Sequence, residues 1–269
     1  MSSAATAWAW PSARPSAPPW APSSAGGRPF LSLAGFGLVL AVLGFFLLPS
    51  VRRIAGEARP SLRAAIAQPG VKPVAIAWPL LVLAHFALFT YIAPYIRDAG
   101  LPDYAISLSL TVLGVSGLLG IWIAGLTVDS HPRRSLLITT AAIAVSMLLL
   151  PFVGGSLPFA LVLMTVWGAG LGAIGIYNQS AILRAGRENK DAANGLTVLT
   201  IQLGITIGAL YGSAALVVAG PLLVPAAAAL PVIAALVITY AGKTAAYPPG
   251  PRESVWKQPR PVVVREGTR

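Results

Sequence analysis

Few side chains in this sequence could do chemistry, and they fall into short, separated clusters. His85, Tyr91 and Tyr95 share one stretch, Asn178 and Gln179 form a second, and Gln202 stands further on. Imidazole is the one side chain whose ordinary pKa lies close to neutral pH, so His85 suits proton sensing, proton transfer or plain hydrogen bonding. Tyrosine hydroxyls and amides offer donors and acceptors without charge, the chemistry of holding a neutral solute. A third cluster, Gly125-x-x-x-Asp129-x-x-x-Arg133-Arg134, sets one acid and two bases in a short hinge between apolar runs. The stretch Gly114-Val115-Ser116-Gly117 raises nucleophilic catalysis by Ser116. Such a serine needs a base within hydrogen-bond reach, and His85 is the only embedded candidate. With no cysteine, thiolate chemistry, disulfides and cysteine metal sites are excluded. Two histidines and eight carboxylates, the latter outside the apolar runs, leave little for a metal, so neither metal nor cofactor is expected.

The elements that must position these residues follow from composition. Of the 269 residues, 56% are apolar and only 10% are charged, too little charge to cover the surface of a soluble domain. Several uncharged runs exceed the roughly 18 residues that suggest a membrane span. Seven spans are expected, at about residues 30–49, 74–96, 105–128, 135–151, 158–183, 195–219 and 221–241. Pro151, Gly154-Gly155 and Pro158 divide one long uncharged run, and Gly220-Pro221 divides another. Neither Gly nor Pro suits a helix interior, so both breaks read as turns. Residues 1–28, rich in Ala, Pro, Ser and Trp, read as a disordered leader without the apolar core of a secretory signal. Residues 51–73 read as a basic loop and 243–269 as a disordered basic tail.

The net charge of +11 could suggest nucleic acid, but its placement points elsewhere. With the N-terminus outside and the C-terminus cytoplasmic, every Lys and Arg except Arg14, Arg28 and Arg97 falls on the inner side. The partner this charge implies is the lipid bilayer, through attraction to anionic headgroups, and no nucleic acid is needed. The expected location is the inner (plasma) membrane, crossed many times.

Gly125, Asp129, Arg133 and Arg134 carry a further signal. Their spacing resembles the cytoplasmic-loop signature of the major facilitator superfamily, a Gly-x-x-x-Asp-Arg-x-Gly-Arg-Arg theme, with Ser130 and Pro132 in place of the usual Arg and Gly. The stretch HFALFTYIAPYIRDAGL (85–101) is similar to the first helix of the second half in drug- and sugar-efflux members. The stretch from Trp167 to Gly212, beginning WGAGLGAIGIYNQSAILRAGR, is similar to their tenth and eleventh helices. GGRPFLSLAGFGLVL (26–40) resembles the entry to the family's sixth helix. The resemblance implies an all-α polytopic bundle: a six-helix C-terminal half over 74–242, preceded by one helix at 29–50. It implies efflux of a small-molecule solute by alternating access, with protons as a coupling ion to be tested. It also implies a missing N-terminal half, or a second copy in its place, against which Asp129 would pair.

No Asp, Glu, Lys or Arg lies inside any expected span, so embedded polar residues carry the site. His85, Tyr91, Tyr95, Asn178, Gln179 and Gln202 are the cavity candidates, and Pro94 offers a kink for gating. The alternatives are interhelical hydrogen bonds for Asn and Gln, an interfacial belt for Tyr95 and a packing role for His85. Gly204, Gly208 and Gly212 recur every four residues, as do Gly168 and Gly172, which suits close helix packing. A retinal protein would need a lysine in the last span, and 221–241 has none. Ser116 leaves an intramembrane protease as a distant alternative, and a truncated membrane protein or scaffold that transports nothing is the plainer one.

Overall fold

The computed structural model describes residues 27–47, 61–186 and 189–242. These residues form helices joined by turns, with no strand among them. The chain divides near Ala58 into two units. The first contributes one described helix, α1 (Gly27–Leu47), whose sequence carries no charge after Arg28. The expected leader up to residue 26 and the tail from 243 lie outside the described residues.

The second unit begins with α2 (Leu62–Ala67), capped where the Ser61 hydroxyl accepts from the Ala64 amide at 3.3 Å. Then come α3 (Val71–Phe89), α4 (Ile92–Asp98), α5 (Tyr104–Thr127), α6 (Pro132–Leu149), α7 (Leu157–Ala185), α8 (Lys190–Ala219) and α9 (Val224–Ala241). The segment 51–73, expected as a loop, therefore holds α2 and the first residues of α3. The Ser61 cap and the small, apolar LRAAIA sequence favour a helical turn there. Single 3₁₀ turns at Leu150–Phe152 and Pro221–Leu223 join α6 to the next loop and lead into α9. Gly154, Gly155 and Gly220 have φ of 55°, 78° and 82°, so the two divisions made by glycine are left-handed turns that a β-carbon would strain.

Among the described residues six stretches are long and apolar enough to cross a membrane: Val71–Phe89, Tyr104–Thr127, Pro132–Phe152, Leu157–Ala185, Lys190–Ala219 and Pro221–Ala241. Their packing has a pattern. α3 packs on α8 and α9, α7 packs on α5 and α6, and α6 packs on α9. Exchanging the set α3, α5, α6 for the set α7, α8, α9 maps these contacts onto themselves. Each set has an odd number of crossings, so the two are inverted repeats, an architecture that builds transporter sites at the repeat interface.

Close packing comes from glycine. On α8, β-carbons at Gly204, Gly208 and Gly212 would meet the carbonyl oxygens of Pro79, Leu83 and Ala87 on α3. Both series step by four residues in the same direction, so α3 and α8 run parallel with their backbones in contact. The α5–α7 pair repeats the device, with Gly168 and Gly172 of α7 against Leu113 and Gly117 of α5. A β-carbon at Gly120 would run into the Ala169 carbonyl. Contacts of this kind replace the hydrophobic driving force that lipid tails do not supply between helices.

The ends are tied as well. At one end the Tyr95 hydroxyl, fully buried, donates to the Leu150 carbonyl at 2.7 Å, and Asp98 accepts from the Leu222 amide at 3.1 Å. Arg97 pairs with Asp103 at 3.0 Å on the exposed rim. At the other end Arg133 donates to the Tyr240 carbonyl at 2.9 Å. Helix order puts Arg63, Lys72, Arg133, Arg134, Arg184 and Lys190 at this second end, and Arg97 at the first.

Candidate functional site

His85 lies on α3, half-buried, inside an aromatic cluster. Its ring stacks on Phe89 at 5.2 Å between centroids with 29° between planes. It meets Trp167 of α7 at 5.4 Å and the edge of Phe86 at 5.1 Å. Trp167 is fully buried. His85 Nδ1 and Trp167 Nε1 are both buried, and neither has a hydrogen-bond partner among the described residues. An unmet buried polar group costs free energy, so two of them side by side mark a place able to accept a polar group. The first helices of the two inverted repeats supply one ring each, so the cluster lies at the repeat interface.

A break in the helix lies one turn beyond His85. The expected single span over 74–96 is two helices, with Thr90 and Tyr91 between them. Pro94 explains the position: its ring has no N–H and crowds the carbonyl four residues earlier, which is that of Thr90. Tyr91 sits at φ −110° and ψ 23°, outside helical geometry, and its amide turns to Leu88 at 3.1 Å.

The remaining candidates are placed as follows. The Tyr91 hydroxyl donates to the Ala209 carbonyl of α8 at 3.2 Å, and its ring covers Gly212. Tyr95 is held by Leu150 as described above. Asn178 is buried in α7 and donates to the Ile174 carbonyl at 3.1 Å. Gln179 donates to the Asn194 side chain at 3.0 Å, which ties the end of α7 to the start of α8. Gln202 is exposed on α8. The structure thus gathers His85 with Trp167, Phe86 and Phe89, while the amides stand elsewhere along α7 and α8.

Trp167 was not among the sequence candidates. A tryptophan in an apolar helix reads as packing, and only its position against His85 distinguishes it. The Thr127–Tyr177 contact, 2.7 Å between hydroxyls, escaped in the same way because fifty residues separate the partners.

In the hinge, Gly125 is exposed, with nothing near enough for a β-carbon to touch. Asp129 and Arg134 are exposed, and Arg133 reaches Tyr240 of α9, with its guanidinium carbon 5.8 Å from that ring centroid. Pro132 opens α6 at its first position, where its missing N–H is not needed. Ser116, buried in α5, donates to the Leu113 carbonyl of its own helix at 3.2 Å. Among the described residues no base bonds to it, and no group of metal-ligating residues is assembled.

Two inverted three-helix units, apolar enough to cross a membrane and locked by glycine, define a multi-pass helical membrane protein of transporter-type architecture. The family model for the Major Facilitator Superfamily matches residues 2–209, and the chain belongs to that superfamily. The resemblance seen in the hinge and in the two longer stretches is therefore borne out. A probable sugar efflux transporter of Helicobacter acinonychis is 27% identical over 187 residues, 68% of this chain and 47% of that protein. A chloramphenicol efflux pump of Mycobacterium tuberculosis is 30% identical over 152 residues, 54% of this chain and 37% of that protein. The transcription regulatory protein OpdE of Pseudomonas aeruginosa is 28% identical over 188 residues, 68% of this chain and 47% of that protein. The chain spans about half the length or less of the curated relatives it matches.

Proposed function

We propose that this chain is the C-terminal half of a small-solute efflux carrier of the inner membrane, working by alternating access against a second half. The observation that carries the reading is the uneven covering of the inverted repeats. Within their spans α5 and α8 bury only 22% and 17% of residues inside the unit, against 44% for α3 and α7. The second helix of each repeat therefore presents a free face, and Gly125 and Gln202 are exposed on those two helices. A partner half, from another chain, a second copy or a portion outside this sequence, would rock against these faces around a midplane cavity. Asp129 would supply the ion-pair partner at the hinge.

His85 and Gln202 are the cavity residues this reading favours. Tyr91, Tyr95, Asn178 and Gln179 are already bonded within the bundle, which makes them supports of the cavity wall. The rings around His85, and the confinement of charge to the ends of the six described stretches, favour a neutral or lipophilic solute. With the termini oriented as the basic residues indicate, the hinge and the end of α9 face the cytoplasm.

The test is export from membrane vesicles that contain the chain with a companion N-terminal half, with chloramphenicol and a simple sugar as probes because relatives carry those names. Export that depends on both halves and collapses with a proton uncoupler supports the whole reading. Loss of the uncoupler response in His85→Ala, with export itself retained, assigns coupling to His85. Unchanged export and pH dependence in that variant gives His85 a packing role. Absence of export with both halves present supports a membrane protein that transports nothing.

A further inference from the structure

We propose that the outer face between α6 and α9 is a binding groove for one acyl chain of an anionic phospholipid, whose headgroup rests on Arg133 and Arg134. A groove of about 460 Å³ runs between these helices, lined by Leu137, Ile138, Ala141, Leu236, Val237 and Tyr240. Solute sites in proteins are mainly apolar but carry a few convergent polar groups that fix orientation. Here the only polar side-chain atom is the Tyr240 hydroxyl, so the wall matches hydrocarbon. Ile138, Val237 and Tyr240 are exposed, so the groove is open on the outer side of the bundle.

The head end is equally specific. Arg134 shares a helix face with Leu137, Ile138 and Ala141, at steps of three, four and seven residues. Arg133 is fixed at the same end, because its guanidinium bonds the carbonyl and overlies the ring of Tyr240, itself a wall of the groove. Both arginines stand in the first turn of α6, whose free amides and dipole also favour negative charge. Asp129, in the same loop, is a single acid against two bases. A phosphate held there leaves its acyl chain aligned with the groove, and Tyr240 sits at headgroup level as interfacial tyrosines do. The groove is built from α6 and α9, not from the less covered α5 and α8, so it is separate from the face proposed for the second half. The inference needs only membrane insertion and stands whether or not the chain transports.

The experiment uses the full chain in nanodiscs and a phospholipid with a photoreactive group midway along its acyl chain. One preparation uses phosphatidylglycerol and the other phosphatidylcholine. Labelled peptides are mapped by mass spectrometry. Labelling with phosphatidylglycerol is expected to concentrate on 137–141 and 236–240, about thirtyfold above phosphatidylcholine, from about 1 kcal/mol for each of the two arginines. Arg134→Gln should remove most of that preference, and the exposed position of Arg134 leaves the fold intact. Even labelling over all lipid-facing helices, or equal labelling by the two lipids, overturns the proposal. So does a preference unchanged in Arg134→Gln. Protection of both segments from either lipid, with crosslinks to protein instead, shows that a second chain or the basic tail covers the face and likewise overturns it.

Discussion

The Arg133 guanidinium donates to the backbone carbonyl of Tyr240 at 2.9 Å, joining the first turn of α6 to the last turn of α9. The other end of α9 is held with opposite charge, where Asp98 accepts from the Leu222 amide at 3.1 Å in the turn that leads into the helix. A cation at a helix C-terminus and an anion near its start both complement the helix dipole. The outer helix of the second repeat is thus clamped at both membrane faces by residues of the first. That gives Arg133 a role inside this chain beyond fixing topology.

The first prediction follows from that clamp. Arg133→Gln should lower stability by about 1 kcal/mol, since the bond is charged but exposed to solvent screening. Arg134→Gln, one residue on, should be near neutral in lipid-free detergent. Thermal unfolding of the two variants side by side in the same detergent checks this. An equal loss in both would mean that Arg133 acts only as bulk charge.

Glycine packing yields the second prediction. A β-carbon at Gly208 would lie 2.6 Å from the Leu83 carbonyl oxygen and 3.1 Å from both the Leu83 α-carbon and the Phe86 β-carbon. Backbone cannot yield as a flexible side chain can, so Gly208→Leu should force α3 and α8 apart at a cost of about 1–3 kcal/mol. At Gly175, where a β-carbon meets nothing, Gly175→Ala should be neutral or stabilising by about 0.5–1 kcal/mol. Folded fraction against increasing denaturing detergent separates the two. If Gly208→Leu unfolds no earlier than the unsubstituted protein, the close α3–α8 approach is refuted.

Much of the fold was legible because the strongest sequence signals are one-dimensional. Uncharged runs gave the six crossing stretches that follow residue 70, and Gly154-Gly155 and Gly220-Pro221 gave the turns, since left-handed φ and helix-breaking are properties of those residues. The hinge was legible because its charges stand out in an apolar chain. What escaped depends on the third dimension. Ser61 looked like loop until its hydroxyl was seen to cap α2. Trp167 looked like packing until it met His85 from another helix. Tyr95 read as a cavity or interfacial residue, yet it satisfies a carbonyl at the end of α6, 55 residues away. Hydropathy cannot tell an aromatic that faces a neighbouring helix from one that faces lipid, because both environments are apolar.

Pro94 allows the break between α3 and α4 to be tested directly. The missing N–H leaves the Thr90 carbonyl without its helical donor, and the ring prevents the regular geometry that would bring the two together. Pro94→Ala should restore that bond, join α3 and α4 into one longer helix, and stiffen the turn at Thr90–Tyr91. Hydrogen exchange at the Tyr91 amide should then slow, because its 3.1 Å bond to Leu88 would give way to a regular helical bond within a continuous helix. Straightening also moves Tyr95, so its hydroxyl should lose the Leu150 carbonyl and stability should fall by about 0.5–1.5 kcal/mol at that contact. If the break serves gating, vesicle export in Pro94→Ala should slow while solute binding is retained. Unaltered exchange at Tyr91 would show that the packing of Tyr91 on Gly212, and not the proline, sets the break. Altered exchange with normal export would leave the kink as a device of fold alone.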